Sequence, residues 1–373
     1  MSKNVRGSFK WVAGWIMGAS LIGACGAPAD EAQVNDEALA RNAQELAAGA
    51  VSVRLSADSS IIGANEKASV TVTLSNNSRS PVRLLKWYTL ADGIEEPLLQ
   101  VKLNGEDVAF QGPHYKRPAA QERDFITLAP GKSLSQTVDI GEAYDLSKTG
   151  TYTLQFHVAP KQLHGDRSLQ GEVISSNEVS LWIEGRSSAP APQGDVVTSV
   201  TTSISFSGRC SSTQQSTILQ AINAASAMAD DSNAYLTGTT PSGTPRYTTW
   251  FGAFSSSGWN TAQTHFVAIK DAFDAKPITV DCSCKKSYYA YVYPNQPYKI
   301  YVCNAFWNAP LTGTDSKGGT LIHEMSHFTV VAGTDDHVYG QSGAKNLALT
   351  DPASALDNAD SHEYFAENTP FLQ

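Results

Sequence analysis

The strongest constraint on the fold is a change of hydrophobic period partway along the chain. Val51, Val53 and Leu55 alternate with polar residues, as do Val70, Val72 and Leu74. Residues 151–156 and 179–183 repeat the pattern, with turn clusters at Asn76-Asn77-Ser78 and Asn104-Gly105. Period two places alternate side chains on opposite faces, which is what a half-buried strand needs. Short strands punctuated by turns predict an all-β sandwich over residues 51–185. A Ser/Pro/Ala stretch, GRSSAPAPQG at 185–194, then interrupts the pattern and predicts a linker over 186–203. Beyond it Ile218, Leu219, Ile222 and Met228 recur at helical spacing behind the capping residue Ser211. Further helices are expected over 261–273, 319–329, 340–349 and 353–368. Two tyrosine-rich runs, 288–293 and 298–303, flank Pro294-Asn295-Gln296-Pro297 and predict a β-hairpin. The expected fold class is α+β: a sandwich, then a mainly helical domain with a hairpin over 204–373.

Composition narrows the function classes. The 373 residues are 41% hydrophobic and 17% charged, a globular balance. A net charge of −9 argues against a nucleic-acid partner, which selects a basic face. No apolar run beyond residue 25 reaches the ~18–20 residues that span a bilayer. Lys3, Arg6 and Lys10 precede an uncharged, mostly apolar stretch at 11–24, the pattern of a cleaved export signal over residues 1–25. Leu21-Ile22-Gly23-Ala24-Cys25 resembles a bacterial lipobox, which would lipidate Cys25 and anchor the chain to a membrane before maturation. The alternative is ordinary cleavage after Ala29. Residues 26–50 read as a tether. The sandwich holds no cluster of catalytic residue types, and His114, His157 and His164 are expected to be surface or structural.

His323-Glu324-Met325-Ser326-His327 supplies the chemistry. Residues i and i+4 share a helix face, so both imidazoles can reach one metal ion. Glu324 is placed to take a proton from water rather than to bind the ion. Two histidines leave zinc short of a third protein ligand. The longer metzincin pattern fails, because Val330 and Gly333 stand where it needs a glycine and a histidine. Spacing leaves open a glutamate on a later helix (Glu363 or Glu367) or one of Asp335, Asp336 and His337.

H-E-x-x-H followed by Gly333-Thr334-Asp335-Asp336-His337-Val338-Tyr339-Gly340 resembles the signature of the aspzincins, the deuterolysin-type (M35) zinc metalloendopeptidases. The resemblance implies a zincin-like domain holding one zinc ion on His323, His327 and Asp336. It implies Glu324 as general base and Tyr339 as hydrogen-bond donor to the oxyanion. Asp335 and His337 fall at variable positions and are expected to be solvated loop residues. Residues 246–252, 289–295 and 358–368 are similar to fungal peptidyl-Lys metalloendopeptidases. That likeness covers residues 204–373 and is not expected to extend to the sandwich. It implies hydrolysis on the amino side of lysine in proteins or peptides, with Asp360 and Glu363 receiving the P1′ ammonium. Cys210, Cys282, Cys284 and Cys303 are an even set in an exported domain. By resemblance they pair as Cys210–Cys282 and Cys284–Cys303.

The whole reads as a monomeric, exported zymogen; the sandwich could be an inhibitory propeptide, a folding aid or a surface-binding module, and its place before the linker favours its removal during maturation. The hairpin edge could accept an extended substrate by strand addition, or simply pack. Two rival readings stand beside it. One is a broader-specificity deuterolysin-like protease. The other is a lipid-anchored binding protein with a vestigial zinc site, against which intact Glu324 and Tyr339 argue.

Overall fold

The computed structural model describes residues 49–166, 169, 171–185 and 203–373. The expected export signal, Cys25, nearly all of the tether and the linker residues 186–202 lie outside them.

The alternating runs form the sandwich. β1 (Val51–Ala57), β3 (Ser69–Asn76) and β9 (Ser133–Asp139) make one antiparallel sheet. β2 (Ile61–Ile62), β12 (Val179–Ile183), β10 (Gly150–Val158), β5 (Leu99–Leu103) and β6 (Glu106–Asp107) make the other, with β11 (Ile174–Ser175) beside β10. β4 (Val82–Leu85) pairs with β8 (Phe125–Leu128). The alternation explains the layering. Val70, Val72 and Leu74 of β3 are buried. The opposite face carries hydroxyl pairs, Thr71 with Thr137 at 2.7 Å and Thr73 with Ser135 at 2.9 Å. Such cross-strand pairs suit a solvated sheet face.

β7 (His114–Lys116) behaves differently. It lies on the excursion between β6 and β8 and is paired outside the sandwich. It forms the edge of a second mixed sheet, in the order β13-β14-β16-β15-β7. There β13 (Ile204–Ser207), β14 (Ile278–Asp281) and β16 (Lys299–Val302) run parallel, and β15 (Ala290–Val292) is antiparallel to β16. The hairpin is thus shorter than its tyrosine pattern suggests, and Tyr291 stacks on Tyr301 at 4.5 Å. The apolar core of the sandwich continues onto Cys284, Tyr288 and Cys303, so the two halves share packed surface.

Among the described residues, the α-helices other than the short α1 (Pro160–Leu163) belong to the C-terminal half. α2 (Ser212–Gly238) starts on a capping box. Ser211 N–H donates to Gln214 Oε1 at 2.9 Å, and Gln214 N–H donates to Ser211 Oγ at 3.3 Å. α3 (Pro245–Phe251), α4 (Ser256–Ala275) and α5 (Asn304–Asn308) follow. α6 (Lys317–His327) is buried on every side, packed by α2, α4 and the C-terminal helix. Glycine makes this close approach possible. A Cβ on Gly319 would meet Glu367 Oε1 at 2.1 Å. α7 (Gln341–Thr350) matches its expected span. Residues 353–368, expected as one helix, form two: α8 (Pro352–Leu356) and α9 (Ala359–Glu367). The break lies where Asn358 leaves helical geometry to bridge Asp335. Both disulfides are present, Cys210–Cys282 and Cys284–Cys303.

Candidate active site

α6 ends on His327, two residues short of its expected end, because Phe328 turns into extended backbone. The loop that follows folds back onto the helix. His327 Nδ1–H donates to Thr334 O at 2.7 Å, and Thr334 N–H donates to Ser326 O at 3.1 Å. Asn358 holds the other side: its Oδ1 accepts from His337 N–H and Val338 N–H, both at 3.1 Å. These bonds swing Asp336 over the helix. Its Oδ1 lies 3.2 Å from His323 Nε2, and its Oδ2 lies 3.5 Å from His327 Nε2.

His323 Nε2, His327 Nε2, Asp336 Oδ1 and both Glu324 oxygens are buried with no protein hydrogen-bond partner. Buried polar atoms are normally satisfied, so convergent orphans of ligand type fit a bound cation. The two histidines differ in protonation: burial works to lower His323, yet Asp336 holds it well above its ordinary value. Burial pushes His327 down to about 3, leaving a neutral imidazole. Burial works to raise the Asp336 carboxyl, yet His327 and His323 hold it well below the usual carboxylate range. Burial pushes Glu324 up to about 8, the direction expected of a proton carrier in a dry site. Tyr339 is raised well above its ordinary value, chiefly by burial, and keeps its hydroxyl proton.

The remaining nitrogen of His323 is held too. Nδ1 lies 2.8 Å from Asp360 Oδ1 and 3.4 Å from Glu363 Oε2. Asp360 and Glu363 stand one turn apart on α9, fully buried. They are not an empty acidic pair. Lys116 Nζ sits 2.6 Å from Glu363 Oε2, 3.2 Å from Asp360 Oδ1 and 3.3 Å from Asp315 Oδ1, with 1% of its side chain exposed. Burial alone would lower the Lys116 ammonium, but Asp360 and then Glu363 hold it well above its ordinary value. The acids replace the water that the ammonium loses.

Lys116 arrives on β7, which runs antiparallel to β15 with Ala290 opposite Lys116, Tyr291 opposite Tyr115 and Val292 opposite His114. Tyr289 N–H donates to Lys116 O at 2.9 Å. The Lys116 backbone N–H favours the charged form of the Glu324 carboxylate. One residue on, Arg117 is buried between Glu95 and Glu96, and its Nη1 donates to Tyr339 Oη at 2.9 Å. Glu95 also pairs with Lys286 and accepts from Tyr288 Oη at 2.8 Å, which ties this cluster to the catalytic half.

The expectation for His114 is therefore corrected. Its ring lies 4.9 Å from that of His327, its Nδ1 lies 3.3 Å from Asp335 Oδ1, and its side chain is 12% exposed. It is on the same strand face as Lys116, because i and i+2 align. His157 and His164 are structural, bonded to Ser175 Oγ and to Arg83 O. Asp335 and His337 are half-exposed, and His337 pairs with Asp357 at 2.9 Å. Sequence reasoning missed His114, Lys116, Arg117, Asp315 and Asn358. The only local signal was His-Tyr-Lys-Arg at 114–117, basic residues in an otherwise acidic chain.

Comparison with known proteins agrees with this geometry. Residues 235–367 match the aspzincin M35 family, described as lysine-specific metallo-endopeptidase. The chain is 46% identical to an extracellular protease of Aeromonas hydrophila over 338 residues, covering 88% of this chain and 95% of that one. It is 35% identical to a peptidyl-Lys metalloendopeptidase of Armillaria mellea over 338 residues, 87% of this chain and 93% of that one. Likeness thus extends well beyond residues 204–373, which corrects the expected limit. A solved zinc peptidase from Grifola frondosa is 46% identical, covering 44% of this chain and all of that one, with a TM-score of 0.41. The chain belongs to the aspzincin (M35) family and is a zinc metalloendopeptidase.

Proposed function

We propose that this chain is the precursor of an exported endopeptidase that hydrolyses peptide bonds on the amino side of lysine. One zinc ion per catalytic domain would be held by His323, His327 and Asp336. When bound, zinc supplies a Lewis acid that acidifies a water and polarises the scissile carbonyl. Glu324 takes the proton of the attacking water and returns it to the leaving amine. The Tyr339 hydroxyl hydrogen-bonds the oxyanion, and Asp360 and Glu363 receive the P1′ ammonium. Export rests on the basic-then-apolar N-terminus and on likeness to an extracellular protease.

The observation that carries the reading is Lys116. A lysine on a strand added to the sheet edge puts its ammonium between Asp360 and Glu363 and its backbone N–H at Glu324. That is where a P1′ lysine must sit if Glu324 is to protonate its nitrogen. The same contacts support latency, since β7 fills the groove that a substrate would use. The test is a pair of peptides differing only in lysine or norleucine at P1′. Mature enzyme should cut the lysine peptide roughly 100-fold or more faster in kcat/KM, because the uncharged isostere leaves buried acids unpaired. Equal rates would remove the pocket from the account.

A further inference from the structure

We propose that the Tyr115–Lys116 peptide bond is itself a processing site, cut within the molecule that carries it. This rests on the lysine reading above. A plug that only obstructs can enter a groove in any direction. Here β7 adds antiparallel to β15, and Lys116 occupies the pocket formed by Asp360, Glu363 and Asp315. Both flanks of the bond are pinned. On the amino side, His114 lies against His327 and Asp335. On the carboxyl side, Arg117 is held by Glu95, Glu96 and Tyr339. The bond between them that precedes Lys116 is the one on the amino side of the lysine seated in the acidic pocket.

The step consumes one water. Its oxygen bonds to the Tyr115 carbonyl carbon, and the carbon–nitrogen bond to Lys116 breaks with its electron pair staying on nitrogen. That nitrogen takes a proton and leaves as an amine, and Tyr115 ends in a carboxylate. Holding the bond in place makes the reaction unimolecular, which favours it over attack on a second chain. The sandwich can survive the nick. The cut falls on the excursion between β6 and β8, and those strands stay paired to β5 and β4. Once cut, the two sides of the bond are no longer joined, and Lys116 can leave the acidic pocket independently of the strand residues before it. The nick therefore loosens β7 while the rest of the precursor stays folded.

The test uses the zinc-loaded full chain. N-terminal mapping by mass spectrometry during incubation should show a fragment beginning at Lys116. It should form at the same first-order rate at every dilution, and it should be absent in Glu324→Gln and in Lys116→Gln. In the uncut Glu324→Gln precursor, Lys116 should resist amine acylation while surface lysines react; a reactive Lys116 would show that the strand is not seated. A rate that rises with protein concentration would overturn the intramolecular step. Activation with Tyr115–Lys116 intact would overturn the processing site. An added lysyl peptide separates the two claims. If mature enzyme cuts it before lysine while Tyr115–Lys116 stays whole in the precursor, only the processing site fails; if mature enzyme cuts it elsewhere, the lysine reading fails as well.

Discussion

Asp360 Oδ1 lies 2.8 Å from His323 Nδ1 and 3.2 Å from the Lys116 ammonium, so one carboxylate oxygen serves both a metal-ligand candidate and the lysine pocket. Its other oxygen accepts from Gly340 N–H at 2.5 Å. Asp360 is thereby fixed from three sides, and it fixes the His323 ring in turn. Glu363, 3.4 Å from the same nitrogen, is closer to Lys116 than to His323. The two acids should separate by experiment. Asp360→Asn should weaken zinc about 10–100-fold, the usual effect of losing an outer-sphere partner of a ligating histidine, and should also weaken lysine preference. Glu363→Gln should weaken lysine preference while leaving zinc affinity near the wild type. Chelator competition reports the first effect and peptide kinetics the second.

The ligand assignment makes its own prediction. Asp336→Ala should lose zinc, because among the described residues it removes the only carboxylate that reaches both imidazole Nε2 atoms. Asp335→Ala should retain zinc, since that side chain is half-exposed and turned to His114. Glu324→Gln should keep the metal and lose activity by roughly 10²–10⁴, the contribution of a positioned general acid–base. Metal content by mass spectrometry, read beside activity, checks all three variants.

Latency should depend on Arg117. Its guanidinium is buried against Glu95 and Glu96, and removing one member of a buried ion cluster costs about 3–5 kcal/mol. Arg117→Ala should therefore release β7 from the site and leave the catalytic half folded on its own core. The expected outcome is a full-length precursor with raised activity on an added peptide. An unchanged, latent variant would show that the strand is held elsewhere.

A buried histidine pair sets a pH dependence of stability. His362 Nδ1–H donates to Asn358 O at 3.0 Å, so its Nε2 accepts from His265 Nδ1–H at 2.9 Å. Burial, and then His265 beside it, pushes His362 down to about 3. Its unfolded value is about 6.5, so below that pH the unfolded chain binds the extra proton. The contribution is fully present above pH ~6.5 and is lost as pH falls toward about 3. Thermal unfolding midpoints should fall more steeply with acid in the wild type than in His362→Phe. That variant keeps ring packing on Phe251 and Phe266 without the titrating group.

Much of this was legible in the sequence for local reasons. Period two marked β1, β3, β10 and β12, and a single helical turn brought His323 and His327 to one face. Asp360 and Glu363 were legible as a pair because three residues span one turn. Their sharing of His323 was not, since it depends on α6 packing against α9. The tenant of the pocket was hidden for a stronger reason. Lys116 and Asp360 are 244 residues apart, joined by a three-residue strand too short to show a period. Strand addition is chosen by main-chain hydrogen bonds, which carry no side-chain signature. The break at Asn358 was equally invisible, because it answers to Asp335 across the loop.

The central claim is that Asp360 and Glu363 make this enzyme read lysine. It is tested most directly by digesting a denatured proteome with the mature enzyme and reading the new N-termini by mass spectrometry. The account predicts that lysine dominates those termini, and that the bias collapses in Glu363→Gln with zinc still bound. New termini spread over apolar residues in the wild type would contradict it and place this chain among the broader deuterolysin-like proteases.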